Sequence, residues 1–262
     1  MEVVVLGTGS SGNSSLVISS SSVILVDAGL SSKKLESRMA DAGVDPLSLS
    51  GILLTHEHAD HAGGLKVFLS RWRVPLYCNA ETARALGGSG AFPGAEFRLF
   101  ETGASFSLGD FAVRSFAVPH DASEPVGFRI ESGGEAFGVL TDLGFATRLA
   151  IESLRGVSGL LIEANHDETL LQNDKKRPWS VKQRIASRHG HLSNAAASEV
   201  VAELAGPAMK HVVLGHLSRD CNTPEMATQA VMERLGDRLN PPLVQCSGQD
   251  TSVRVSVSNI PH

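Results

Sequence analysis

An apolar run, Gly51-Ile52-Leu53-Leu54, leads into Thr55-His56-Glu57-His58-Ala59-Asp60-His61, which places three histidines and an aspartate within six residues. The run reads as a buried strand. Side chains on an extended backbone alternate faces, so His56 and His58 can point the same way, toward one metal ion. Asp60 and His61 fall where the chain turns into the next helix and can aim at a second ion. A polar surface loop would account for one such histidine, but not for this density of metal-ligating side chains behind a strand. The fold must therefore present a site at the ends of its strands.

Three more candidates each end an apolar strand. His120 follows Phe111 to Pro119, Asp142 follows Phe137 to Thr141, and His216 follows Val212 to Gly215. A single His or Asp in such a place is usually a turn residue or cap. Together they complete two ligand sets: His56, His58 and His120 for one ion, and Asp60, His61 and His216 for the other, with Asp142 able to bridge. Nitrogen and carboxylate ligands without a thiolate suit Zn²⁺, Mn²⁺ or Fe²⁺. Two divalent ions about 3.5 Å apart acidify a water and clamp the attacking and leaving oxygens of a displacement. Two such ions, two carboxylates and one hydroxide sum to about +1, which favours an anionic phosphodiester.

Composition permits this chemistry. With 262 residues, 42% of them hydrophobic, the chain can fill the core of a single α/β domain spanning 1–262. Its net charge, 23 minus 28 or −5, gives no global signal for nucleic acid, so any such binding must rest on a local patch. Cys78, Cys221 and Cys246 are odd in number and without a CxxC, which fits a reducing compartment. Met1-Glu2 runs straight into Val3 to Leu6, so no signal peptide is expected. No apolar run approaches the roughly 20 residues of a membrane span, and the protein is expected to be soluble and cytoplasmic.

Patterning predicts strands at Val3 to Leu6, Leu16 to Ile18, Val23 to Val26 and Ile52 to Leu54, and helices at Ser32 to Ala42 and His61 to Arg71. Short alternating segments between turn signals predict antiparallel hairpins from Phe97 to Val139. Helix and strand then return: Phe145 to Leu154, Leu160 to Glu163, Ser180 to Arg188, Ala195 to Leu204, Val212 to Leu214, Pro224 to Leu235, and a last strand at Val253 to Val257. The four-serine run Ser19 to Ser22 reads as a turn.

These residues resemble the metallo-β-lactamase superfamily. Val26-Asp27-Ala28-Gly29 is similar to its first motif, Thr55 to His61 to its second, and His120, Asp142 and His216 to its third to fifth. The resemblance implies a four-layer αββα sandwich with a dinuclear site at one sheet edge, and makes Asp27 a hydrogen-bonding neighbour of the ligands. Gly7 to Ser15, Pro119 to Phe128, Glu163 to Asp167, Gly190 to Asn194 and Gly215 to Asp220 are similar to the YycJ (WalJ) group. That likeness implies a metal-dependent 5′ to 3′ exonuclease acting on DNA, with a link to mismatch repair. In related tRNA 3′-end nucleases a histidine after the fourth motif protonates the leaving group. His191 looks like its counterpart, with His166 orienting or close to the metal.

Between Asp174 and His189, six of sixteen residues are basic (Lys175, Lys176, Arg177, Lys182, Arg184, Arg188), where 23 in 262 would give about 1.4. Val181 and Ile185 are expected to supply a buried helix face there, and Trp179 could stack a base. Lys182, Arg184 and Arg188 are candidates for phosphate contact; a solvated helix face is the alternative. Ser10, Ser11 and Asn13 follow the first strand, where a turn could present hydroxyls to a phosphate, or serve only as a turn. His189, His211 and His262 read as surface or core residues. DNA is favoured over RNA as partner, no membrane partner is expected, and a homo-oligomer stays open. A small-molecule ester, thioester or lactone hydrolase, an RNA-processing nuclease and a metal-stabilised scaffold remain as alternatives, as does Cys221 as a thiol ligand.

Overall fold

Strand β1 (Glu2–Gly7) is buried on both faces: Val3 and Val5 face one apolar core while Val4 and Leu6 face another. Period-two alternation with no polar side demands a layer above and a layer below. A computed structural model describing residues 1–257 supplies both. His262 lies outside the described residues.

Two seven-stranded mixed sheets stack face to face. The first contains β1, β2 (Ser14–Ile18), β3 (Val23–Val26), β4 (Leu49–Leu53), β5 (Leu76–Cys78) and β6 (Phe97–Leu99). The second contains β7 (Ser105–Leu108), β8 (Phe111–Ala117), β9 (Val126–Ser132), β10 (Glu135–Leu140), β11 (Gly159–Glu163), β12 (His211–Gly215) and β13 (Leu243–Cys246). Strand β14 (Val253–Ser256) returns to the first sheet beside β1, giving the orders β14-β1-β2-β3-β4-β5-β6 and β13-β12-β11-β10-β9-β8-β7. Val3, Val5, Ile24, Val26 and Leu53 from one sheet meet Phe128, Ile130, Phe137, Val139, Leu161 and Val213 from the other in a shared core.

Helices cover the outer faces. Leu35 and Met39 of the Ser32–Asp41 helix and Phe68 of the Leu65–Arg71 helix pack on the first sheet. Leu154, Val201 and Val231, from the Arg148–Leu154, Asn194–Leu204 and Pro224–Leu235 helices, pack on the second. The result is the four-layer αββα sandwich.

Several local expectations need correction. Phe97–Leu99 is not part of a hairpin; it runs parallel to β5 at the edge of the first sheet. Strands β5 and β13 were not legible, because three or four residues give too short a period to separate from a loop. The helix expected from Phe145 starts at Arg148, capped by the Thr147 side chain. The one expected from Ser180 to Arg188 is Trp179–Ile185 and buries none of its residues, with Val181 39% exposed, so Val181 and Ile185 form no buried face.

Strand direction places the site. Along the two sheets β1, β3 and β4, and likewise β8, β10, β11 and β12, run the same way. Their carboxyl ends therefore meet along one edge, the usual location for ligands in sheets with parallel strands.

Candidate metal centre

That edge gathers the histidines and aspartates. Among the described residues four non-glycine positions have positive φ, and three of them, Asp27 (59°), Asp142 (56°) and His216 (53°), follow β3, β10 and β12. The left-handed conformation costs a residue with a Cβ on the order of 1 kcal/mol. Here it turns each chain sharply over the strand end, and surrounding bonds hold it. The His216 backbone N–H donates to Thr8 Oγ1 (2.8 Å), and its carbonyl accepts from Asn165 Nδ2 (2.9 Å).

The Thr55 to His61 loop is fixed by close approach. A Cβ on Gly29 would lie 1.6 Å from the Asp60 carbonyl oxygen, so only glycine lets the loop after β3 pass under it. Asp27 then binds the loop from below. Its Oδ1 accepts the Thr55 N–H (2.9 Å), and its Oδ2 accepts from His61 Nδ1 (2.7 Å). This turns His61 Nε2 inward, 2.9 Å from both Asn13 Nδ2 and Asp142 Oδ2, as expected of a carboxylate behind a metal-ligating ring. His120 is oriented alike, its Nδ1 donating to the Gly190 carbonyl (3.1 Å).

From opposite sheets, His56, His58 and His120 converge, with ring centroids 4.6 to 5.2 Å apart. Asp142 stands between the halves: Oδ2 is 2.9 Å from His61 Nε2, and Oδ1 is 3.0 Å from His216 Nδ1 and 3.5 Å from His191 Nδ1. Asp60 Oδ2 lies 3.6 Å from His61 Nε2 and 3.5 Å from His216 Nε2. Despite these approaches, His56 Nε2, Asp142 Oδ2 and His216 Nδ1 are buried without a hydrogen-bond partner. Buried polar atoms left unpaired are costly. Imidazole nitrogens and a carboxylate oxygen left unpaired at one place form a donor set that fits divalent cations. His56, His58 and His120, His56, His61 and Asp142, and Asp142, Glu163, His191 and His216 each form a group able to hold one.

Electrostatics divides the rings. Burial pushes His56 well below the ordinary histidine range and lowers His120. Burial acts the same way on His61 and His216, but the Asp142 carboxylate overrides it and raises both well above that range. Asp142, although buried, is in turn held well below the usual carboxylate range by His216 and His61.

Sequence reasoning gave Glu163 no role. Fully buried at the end of β11, it accepts the N–H groups of Leu143 (2.7 Å) and Leu192 (3.1 Å) on Oε1 and His191 Nδ1 (3.0 Å) on Oε2. Burial favours its neutral form, yet His191 keeps it below the carboxylate range; reciprocally, Glu163 outweighs burial and raises His191. The available signal was an acid ending an otherwise apolar strand, Gly159-Leu160-Leu161-Ile162-Glu163. His166, 2% exposed with Nδ1 unpartnered, is lowered by burial and lines a cleft of about 350 Å³ with His191, Ser193 and Ala186.

Other candidates part company with the site. Asn13 is buried, its Oδ1 accepting from Thr8 Oγ1 (2.8 Å) and the Gly9 N–H (2.8 Å) while Nδ2 reaches the Asp60 carbonyl (3.2 Å). Nδ2 also lies 2.9 Å from His61 Nε2, so the amide braces Asp60 and His61 together instead of facing a substrate, whereas Ser10 and Ser11 are exposed. Arg184 is bound to Asp121 (2.5 Å), Lys182 donates to the Gln172 carbonyl (2.8 Å), and the Arg188 guanidinium lies 4.4 Å over Phe145. Cys221 Sγ sits by Arg177 (3.6 Å) and Asp174 (3.8 Å) and joins none of the metal-ligating groups.

Comparison with known proteins agrees with this edge. A family model described as the beta-lactamase superfamily domain matches residues 23–217. The chain is 38% identical over 234 residues to exodeoxyribonuclease WalJ of Streptococcus pneumoniae serotype 2, covering 88% of this chain and 87% of that protein. To exodeoxyribonuclease YycJ of Bacillus anthracis it is 35% identical over 235 residues, 89% of each. The metallo-β-lactamase fold protein YhfI of Bacillus subtilis superposes with a TM-score of 0.74 at 16% identity, over 97% of this chain and 98% of that one. The chain therefore belongs to the metallo-β-lactamase superfamily and, within it, to the YycJ/WalJ branch.

Proposed function

We propose that this chain is a single-domain exodeoxyribonuclease that uses two divalent cations, Zn²⁺ or Mn²⁺, to hydrolyse DNA phosphodiesters from a 5′ end, in a DNA-repair role. The observation that carries this reading is that two relatives, 38% and 35% identical over 88% and 89% of this chain, are exodeoxyribonucleases. His56, His58 and His120 would hold one cation and Asp60, His61 and His216 the other, with Asp142 shared. When bound, the cations supply Lewis acidity: a water that ionises near neutral pH and positive charge facing the phosphate oxygens. Asp27 and the Gly190 carbonyl keep His61 and His120 in the tautomer that offers Nε2 inward. Asp60 orients the attacking water.

His191 is the group that returns a proton to the departing oxygen. An ionised Glu163 must accept, so Nδ1 carries hydrogen and the raised pKa favours an imidazolium whose Nε2–H is available to donate. His166, lowered by burial, stays neutral and orients instead. Three free cysteines suit a reducing cytoplasm, and among the described residues no helix is long and apolar enough to cross a membrane.

End-labelled duplex DNA, single-stranded DNA and RNA, incubated with Zn²⁺- and Mn²⁺-loaded protein beside a thioester and a lactone, test the reading. Stepwise release of nucleotides from the 5′ end of DNA is expected. Intact DNA together with hydrolysis of a small ester would replace it with the small-molecule reading.

A further inference from the structure

Between β11 and β12 the chain leaves the sheet as an arm, the helices Glu168–Asn173 and Trp179–Ile185, and returns at His191. It is strapped down beside two site histidines. Arg184 binds Asp121, next to His120; Arg177 Nη2 binds Asp220 (3.1 Å), four residues after His216, and Lys176 joins the same carboxylate. These three cations are consumed by the straps. Lys175 is exposed and has no ion-pair partner among the described residues, and Lys182 donates to the Gln172 carbonyl and feels Asp174 without forming an ion pair.

Trp179 and Lys182 stand three residues apart and Ala186 a further four, which puts them on one stripe of the helix. Ala186 lines the cleft beside His166 and His191. At 1.5 Å per residue the stripe sets Trp179 about 10 Å along the helix axis from Ala186 at the cleft wall. There the indole is 66% exposed, unusual for the largest apolar side chain, and no core residue backs its helix.

We propose that this stripe is a grip for single-stranded DNA leaving the cleft: one base stacks on Trp179 while Lys182 and Lys175 meet the adjoining phosphates. An exposed aromatic beside the unpaired Lys175 and a Lys182 held only by a backbone carbonyl, on a chain whose net charge is −5, matches a base and its phosphates. The inference rests on the nuclease reading and adds where the strand is held.

Zn²⁺-loaded protein titrated with phosphorothioate-linked oligothymidylate, which resists cleavage, tests it, with Trp72→Phe making Trp179 the only indole. Quenching of that indole on binding is expected, and by anisotropy of a fluorescently end-labelled form of the same oligonucleotide the affinity should be about tenfold weaker in Trp179→Ala and largely restored in Trp179→Phe. The Michaelis constant for cleavable strand should rise in Trp179→Ala with kcat held, while hydrolysis of bis(p-nitrophenyl) phosphate, too short to reach the arm, stays unchanged. A wild-type enzyme that cleaves DNA while Trp179→Ala binds and turns over identically overturns the grip alone. A wild type that neither binds nor cleaves any strand overturns the nuclease reading and the grip with it.

Discussion

The two sheets supply the site in different ways. The first gives a contiguous loop, Thr55 to His61, with Asp27, just after β3, and Asn13, just before β2, fastening it. The second gives one side chain from each of several strand ends: His120, Asp142, Glu163 and His216. The first half is therefore preorganised by hydrogen bonds that tie one loop to Asp27 and Asn13 and by one forced glycine contact, whereas the second depends on the register of the parallel strands β10, β11 and β12; left-handed backbone serves both, at Asp27 in the first and at Asp142 and His216 in the second.

Asp142 is where the halves meet, and its loss is the sharpest test. Asp142→Asn should lower kcat/KM by about 10³-fold or more and reduce bound metal, read by steady-state kinetics and elemental analysis. Full metal content with wild-type turnover would show that each sheet builds its half independently. Next comes the proton donor of the second sheet. Glu163→Gln should cost about 100-fold in kcat and shift the alkaline limb of the pH–rate profile downward, because His191 loses the anion that raises it, while metal content holds. An unmoved limb would remove Glu163 from the reaction and leave it a structural acid.

On the first sheet, Asp27→Asn should weaken metal affinity about 10- to 100-fold through the His61 ring, with a smaller effect on saturated turnover. Competition with a chelator reads this directly, and equal affinity would mean that the loop alone orients His61. The smallest effect concerns protons. In the metal-free protein, His61 and His216 have raised values, so their contribution to stability is complete below about 6.5 and is lost as pH rises through the folded values. Cation binding needs the neutral rings, so the gain in Tm on adding Zn²⁺ should grow from about pH 6 to about pH 8. A gain that shrinks over that interval would exclude both rings as ligands.

Much of the site could be read in advance because a ligand behind an apolar strand needs only local sequence to be noticed. Misreadings cluster where burial decides. Asn13 follows a strand like a substrate-facing residue, yet Thr8, Gly9, Asp60 and His61 draw its amide inward. Val181 and Ile185 carry the spacing of a buried face, but the arm has no core to bury them against. Six clustered cations suggested a free basic patch until Asp121 and Asp220 claimed three of them.

By itself the sequence determined that strand ends would carry histidines and carboxylates, since side-chain alternation and ligand chemistry are local properties. Which of those groups face one another was decided by the tertiary structure. The stacking of two sheets brings Asp142 to His61, and the burial of Glu163 turns an unremarked acid into the partner of His191. Pairing across the sandwich depends on register and dielectric surroundings, and neither is a property of any short segment.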